Sequence, residues 1–310
     1  MRPAAPITSG KSKAWVPEGF AGYKELYPET ATLRPEPDAG PSIAFAGLWH
    51  AGREAIESIL RPKAAKITVV FVRGYLGRYM PGNLSAPCLA MRRAGFDAFI
   101  VSTRWGGTVS ANVEHIAGQL RDRPLRERLV FCGHSRGGLE CLSLLAGEPG
   151  FSARCAGVVL SQTSRGPSYV LESVLQGRHR ERISPRRRLA EDLQRVALAA
   201  TRESRGGLEM TASQLPALAG KLARIHWPFP VLQTASWSSR PTAWLDSFHE
   251  RLGEIRPGHA HDGQFFLEDL IWPGLPHVLL PHLDHAQPAM GGFGFDHARY
   301  WLANLSLVLS

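Results

Sequence analysis

The sequence holds no apolar run approaching the ~18 residues that a membrane-spanning helix needs, so no transmembrane segment is expected. It has little cysteine. Cys88, Cys132, Cys141 and Cys155 show no C-x-x-C spacing, and three of them sit in apolar runs. They read as buried thiols of a reducing compartment. The opening stretch MRPAAPITSGKSKAWVPEGF carries basic residues but no apolar core, so no secretory signal is visible and the expected location is cytoplasmic. No internal repeat or low-complexity tract is present. An apolar content of 44% with 20% charged residues argues against disorder. The 310 residues suffice for one large domain or two ordinary ones.

Acidic residues are the minority, and the net charge is +9. Much of the excess lies in RHRERISPRRR, Arg178 to Arg188, with six arginines against one glutamate. The plain reading is a solvated basic face; the functional one is contact with an anionic lipid or granule surface. No aromatics alternate with the arginines, so nucleic-acid binding is not expected.

Residues 1–42 are rich in Pro, Gly and Ala and read as an irregular N-terminal arm. From Ile43 a helical stripe runs through Phe45, Leu48, Ala51, Ala55 and Ile59, with Pro62 as its stop. Short apolar runs then alternate with helical stretches. The runs are 67–72, 97–102, 128–133, 156–161, 230–236 and 277–281. This is the pattern of an α/β fold, a mostly parallel sheet with helices on both faces, spanning 43–310. Residues 166–227 break the alternation. Ser184-Pro185 can start a helix there, with Leu189, Leu193, Val196 and Ala200 on one apolar side. This helical insertion must lie on the sheet domain or on a ligand.

Within LVFCGHSRGG, Gly133-His134-Ser135-Arg136-Gly137 fits G-x-S-x-G, a pattern that chance also supplies in a glycine-rich chain. Its context gives it weight: a buried strand precedes it and a helix with small residues follows. A sharp strand-to-helix turn would project Ser135 from the carboxyl edge of the sheet as a nucleophile. Such a serine needs a base and a group that orients the base. The stretch HVLLPHLDHAQPAM supplies His282 and His285; spacing from the strand favours His285. Asp262 in HAHDGQF is the candidate acid, and Asp246 in AWLDSF its competitor. An oxyanion hole requires two converging N–H donors. The amide of Arg136 is one candidate and that of Tyr75, in the loop RGYLG after the first strand, the other. Leu76, His134, Leu189, Leu193 and Val196 are candidate substrate contacts.

FVRGYLG, GHSRGG, HDG and LDHAQPA, in this order, resemble an α/β-hydrolase of the branch containing bacterial lipases and esterases, over roughly Ile67 to Leu309. The resemblance implies that the insertion is a helical lid over an acyl pocket. Two departures matter: Arg73-Gly74 stands where the family usually has His-Gly, and the family's H-L-D pattern also fits His282-Leu283-Asp284. The second alignment would make His282 the base and put Asp246 and Asp284 at a structural calcium; otherwise no cofactor is implied. The expected activity is carboxylester hydrolysis through an acyl-enzyme, on an apolar or polymeric ester such as lipid or polyhydroxyalkanoate. A thioesterase or acyltransferase with the same residues is the alternative, and a non-catalytic binding protein on the same fold a third.

Overall fold

The computed structural model of the chain describes Thr30, Leu33 and residues 38–104, 106–179, 185–238 and 246–310. Six strands form one sheet: β1 (Ile67–Val72), β2 (Asp97–Ile100), β3 (Arg128–His134), β4 (Cys155–Ser161), β5 (Val231–Trp237) and β6 (His277–Pro281). Their order is β2-β1-β3-β4-β5-β6, and every neighbouring pair is parallel. They fall on the six apolar runs of the sequence. A strand covered on both faces has no polar face to show, which is why each reads as an unbroken run.

Alternation along the strands sorts side chains into two apolar layers. Val70 and Val72 of β1, with Leu129 and Phe131 of β3, join the layer that holds the helices Val109–Arg121 and Arg136–Gly147. Val69, Phe71, Val130 and Cys132 join the opposite layer, with the helices Ser85–Arg93 and His297–Val308. Each such side chain contributes about 1.5–3 kcal/mol by leaving water. All four cysteines are buried and free.

The segment before β1 differs from its expected single helix. It forms two, Gly40–Ala51 and Arg53–Ala64, parted at Gly52 with φ 92°. The break resets the helical phase, so the buried face is Phe45 and Trp49, then Ile56 and Leu60, while Ile59 points outward. Pro62 lies inside the second helix. Between β4 and β5 the described chain forms the helices Tyr169–Gln176, Pro185–Ala200, Ser204–Leu208 and Leu215–Leu222. No helix among the described residues is long and apolar enough to cross a membrane.

Because all six strands run the same way, the loops after β1, β3, β4, β5 and β6 meet at one edge, where ligands of such sheets bind. The helix Arg136–Gly147 runs so close beneath β1 that a Cβ on Gly137 would collide with the Val72 carbonyl oxygen. Besides His285, three described histidines are buried in this framework. His134 ends β3, His277 begins β6, and His261 bridges to Phe266. Burial disfavours their charged form and lowers them to about 3 for His134 and about 4 for His261 and His277. Nε2 of His277 accepts from the Trp272 amide at 3.0 Å, a bond that only the unprotonated nitrogen makes.

Two stability predictions follow from this packing. Gly137→Ala is expected to cost about 1–3 kcal/mol by overpacking against backbone, read as a lower urea midpoint. The buried histidines make the fold acid-labile. The unfolded chain takes up protons below pH ~6.5 that the folded chain refuses, so stability is complete above that pH and falls as pH drops toward about 4. Each ring contributes up to about 1.4 kcal/mol per pH unit. Urea titrations between about pH 7.5 and pH 5 should show this slope, and His277→Gln should reduce it by one proton; a flat midpoint would contradict the assignment.

Candidate active site

Strand β3 ends at His134 and the next helix begins at Arg136, so Ser135 alone makes the turn. Its backbone lies at φ 55°, ψ −128°, a conformation that costs a non-glycine residue about 1–3 kcal/mol. Two hydrogen bonds fix it. The Ser135 amide donates to the Ser161 carbonyl at the end of β4, 2.8 Å, and the Ser135 carbonyl accepts from the Gly138 amide, 3.0 Å. The approach of strand and helix requires Gly133, where a Cβ would lie 2.5 Å from the Cα of Gly138. Ser135 thus stands at a helix N-terminus whose first amides have no partner within the helix.

His285 follows the end of β6 by four residues. Its Nδ1 lies 2.6 Å from Oδ2 of Asp262, and its amide donates to the Asp262 carbonyl at 2.8 Å. The Asp262 side chain is wholly buried. Its other oxygen accepts from the amides of Gln264, 2.9 Å, and Phe265, 2.8 Å. The D-G turn that the sequence displays, with Gly263 at φ 89°, presents this carboxylate. With the Nδ1 proton given to a carboxylate, Nε2 of His285 is left as the acceptor.

The competing residues sit elsewhere. His282 is exposed, at φ 58°. Asp284 turns its Oδ1 onto the amides of Ala286 and Gln287, 2.9 and 2.8 Å, where it starts the short helix Gln287–Met290. The side chain of Asp246 lies outside the described ones. No group of three or more His, Cys, Asp or Glu among the described residues could hold a metal ion.

Ser135 and His285 line one cavity of about 340 Å³, together with His134, Tyr75 and Leu76. Its far walls are apolar, with Val170, Leu171, Val174, Met210, Phe265 and Met290. His134 also donates from Nε2 to the His285 carbonyl at 2.8 Å. Arg136 does not enter the cavity with its side chain, which is buried behind it, 3.1 Å from Glu140. A larger groove of about 580 Å³ opens near Trp227, Phe229 and Trp272, by the strand starts, and contains none of the candidate residues.

The helix Pro185–Ala200 reaches the cavity, but not with the expected side chains. Leu189, Leu193 and Val196 are 62%, 65% and 66% exposed. The lining comes from Gln194, Ala197 and Leu198, on a different side of the same helix. The orientation is set by Glu191, which accepts from Ser173 Oγ at 2.7 Å and pairs with the buried Arg251 at 3.3 Å. Of the basic run 178–188, residues 180–184 and the side chains of Arg186 and Arg187 lie outside the described residues. Arg178 is half-exposed and 3.6 Å from Glu172.

Sequence reasoning missed the part of the insertion at 203–209, whose polar contacts reach the loops after β1 and β2. The only local sign is a pair of Gly-Gly steps, Gly106-Gly107 and Gly206-Gly207.

No protein-family model and no curated protein sequence matches the chain. Its structure is similar to that of a metagenomic carboxyl esterase, with a TM-score of 0.56 and 21% identity over 79% of this chain and 76% of that one. It is similar also to a lipase of Bacillus licheniformis in its mature form, with a TM-score of 0.52 and 12% identity over 73% of this chain and 88% of that one. At such identities the likeness concerns the fold, and it agrees with the six-stranded parallel sheet. The architecture is that of an α/β-hydrolase fold.

Proposed function

We propose that the chain is a serine hydrolase of carboxylic esters with an apolar acyl group. The observation that carries this reading is the 2.6 Å contact between His285 and the buried Asp262, at the cavity that Ser135 also lines. Ser135 Oγ attacks the ester carbonyl and gives its proton to Nε2 of His285. The carbonyl π pair moves onto oxygen, where the amides of Tyr75 and Arg136 receive the charge. Each such donor contributes about 3 kcal/mol to lowering the barrier. Asp262 keeps the imidazole in the right tautomer and stabilises the imidazolium. The tetrahedral centre then collapses, the ester C–O bond breaks, and His285 protonates the departing alkoxide. Water, deprotonated by the same nitrogen, releases the acid and restores Ser135.

The apolar walls support an acyl chain as the cavity's occupant, and its volume lies at the small end of the range for ligand pockets. Lipid and polyester chains both satisfy that. The outward stripe of Leu189, Leu193 and Val196 fits an insoluble ester surface, with exposed arginines such as Arg188 nearby in sequence for anionic groups.

A panel of p-nitrophenyl esters of rising chain length tests the reading directly. Ser135→Ala and His285→Ala are each expected to lower kcat by ~10^4-fold or more with the fold intact, and Asp262→Asn by a similar factor. His282→Ala should retain activity; loss there alone would make His282 the base. Persisting turnover in Ser135→Ala, or no labelling of Ser135 by a fluorophosphonate, would sink the proposal. For the outer stripe, Leu193→Glu should slow hydrolysis of an emulsified triglyceride several-fold while leaving that of a dissolved butyrate ester alone. Equal effects on both would remove the stripe from substrate contact.

A further inference from the structure

The insertion meets the catalytic edge in two places. One is the helix Pro185–Ala200 already described. The other is the segment from Glu203 to Glu209, and its contacts are polar and specific. Glu203 is buried. Its Oε1 accepts from the Tyr79 hydroxyl at 2.8 Å and from the Gly106 amide at 3.1 Å. Its main-chain oxygen accepts from the Tyr75 hydroxyl at 2.9 Å.

Three residues on, the Gly206 carbonyl accepts from Nη1 of Arg136 at 3.1 Å. Nη2 of the same guanidinium donates to the Gly107 carbonyl and lies 3.8 Å from the Glu209 carboxylate. Glu209 in turn accepts from the Val109 amide, 2.6 Å, at the start of the helix Val109–Arg121. Bare backbone makes the contact possible. A Cβ on Gly207 would lie 2.8 Å from both the Tyr75 hydroxyl and a Leu175 methyl, and one on Gly206 would lie 2.5 Å from Nη1 of Arg136.

Tyr75 and Arg136, the two residues whose amides are the proposed oxyanion donors, are therefore two residues whose side chains this segment grips. Tyr75 sits in a loop with no strand or helix to fix its φ and ψ, and its anchored hydroxyl supplies a restraint that the loop lacks. Oxyanion stabilisation depends on sub-ångström placement, and a 1 Å error costs up to about 100-fold in rate.

We propose that the Glu203–Glu209 segment, anchored by the Glu203 side chain on Tyr79 and Gly106, sets the oxyanion hole by holding the side chains of Tyr75 and Arg136 with its main-chain oxygens. The insertion is in this part a fixed buttress of the catalytic edge as well as a wall of the cavity. The proposal rests on the ester-hydrolase reading above.

The test measures kcat and KM on p-nitrophenyl butyrate and the affinity of butylboronic acid, which closes to a tetrahedral adduct on a reactive serine. Glu203→Ala should lower kcat by about 10- to 100-fold, with KM within about twofold, and weaken the boronic acid by a similar factor. Glu203→Gln keeps an acceptor oxygen for both donors and should recover most of the rate. Gly207→Ala, which presses on Tyr75 from the other side, should reproduce the loss without touching Glu203. If Glu203→Ala does not fold, Tyr75→Phe, lacking only the hydroxyl, carries the same expectation at the lower end of the range. A purely structural role predicts a lower melting temperature with kcat and boronic acid affinity unchanged in the folded variants, and that result overturns the proposal. So does a loss confined to KM. Absence of Ser135-dependent turnover in the wild-type chain is a separate outcome, which removes the hydrolase reading and this inference with it.

Discussion

The turn at Ser135 is the constraint from which the carboxyl edge of the sheet is built. A strand becomes a helix across one residue, so that residue takes a positive φ, and Gly133, Gly137 and Gly138 around it have no room for a Cβ. The helix then starts directly under the sheet, with Gly137 against the end of β1 and Gly138 against Thr163 beyond β4. The loop after β1 is drawn in as well, since a Cβ on Gly74 would lie 2.9 Å from that of Ser135. The strain, about 1–3 kcal/mol, is offset by the two backbone bonds that pin Ser135 to β4 and to its own helix. The side chain is thereby presented to the cavity that His285 also lines.

Around that turn the polar groups are arranged to hold one ring, that of His285, against a buried carboxylate. Asp262 is a fully buried carboxylate, tolerable only because two amides and His285 occupy its oxygens. His134, whose ring centroid is 5.1 Å from that of His285, is also buried, and burial lowers it to about 3. It stays neutral at working pH and spends its Nε2 proton on the His285 carbonyl. A second cation so close would oppose the imidazolium that the proposed mechanism requires.

The strands were legible because burial on both faces leaves unbroken apolar runs, a signal that tertiary packing reinforces. The turn and the Asp262–His285 pair were legible because strand ends fix where side chains can converge. Other features were not. An amphipathic period reveals that Leu189, Leu193 and Val196 share a face, but not whether that face turns inward. Here the polar bonds of Glu191 decide it, and they join residues far apart in the chain. Gly52 likewise shifts a helical phase in a way that periodicity alone averages over. The contacts of Glu203 span more than a hundred residues, and nothing local announces them beyond two Gly-Gly steps.

The two contact zones of the insertion differ in chemistry because they are suited to different tasks. Apolar contact is non-directional, so the wall of Ala197 and Leu198 makes few directional demands on what fills the cavity. Buried hydrogen bonds tolerate little displacement, since a donor pulled from its acceptor without water costs about 1–3 kcal/mol. The segment from Glu203 to Glu209 joins at least four hydrogen bonds, one buried and three part-buried, to the loops beside Ser135. Moving it as a unit would break them together.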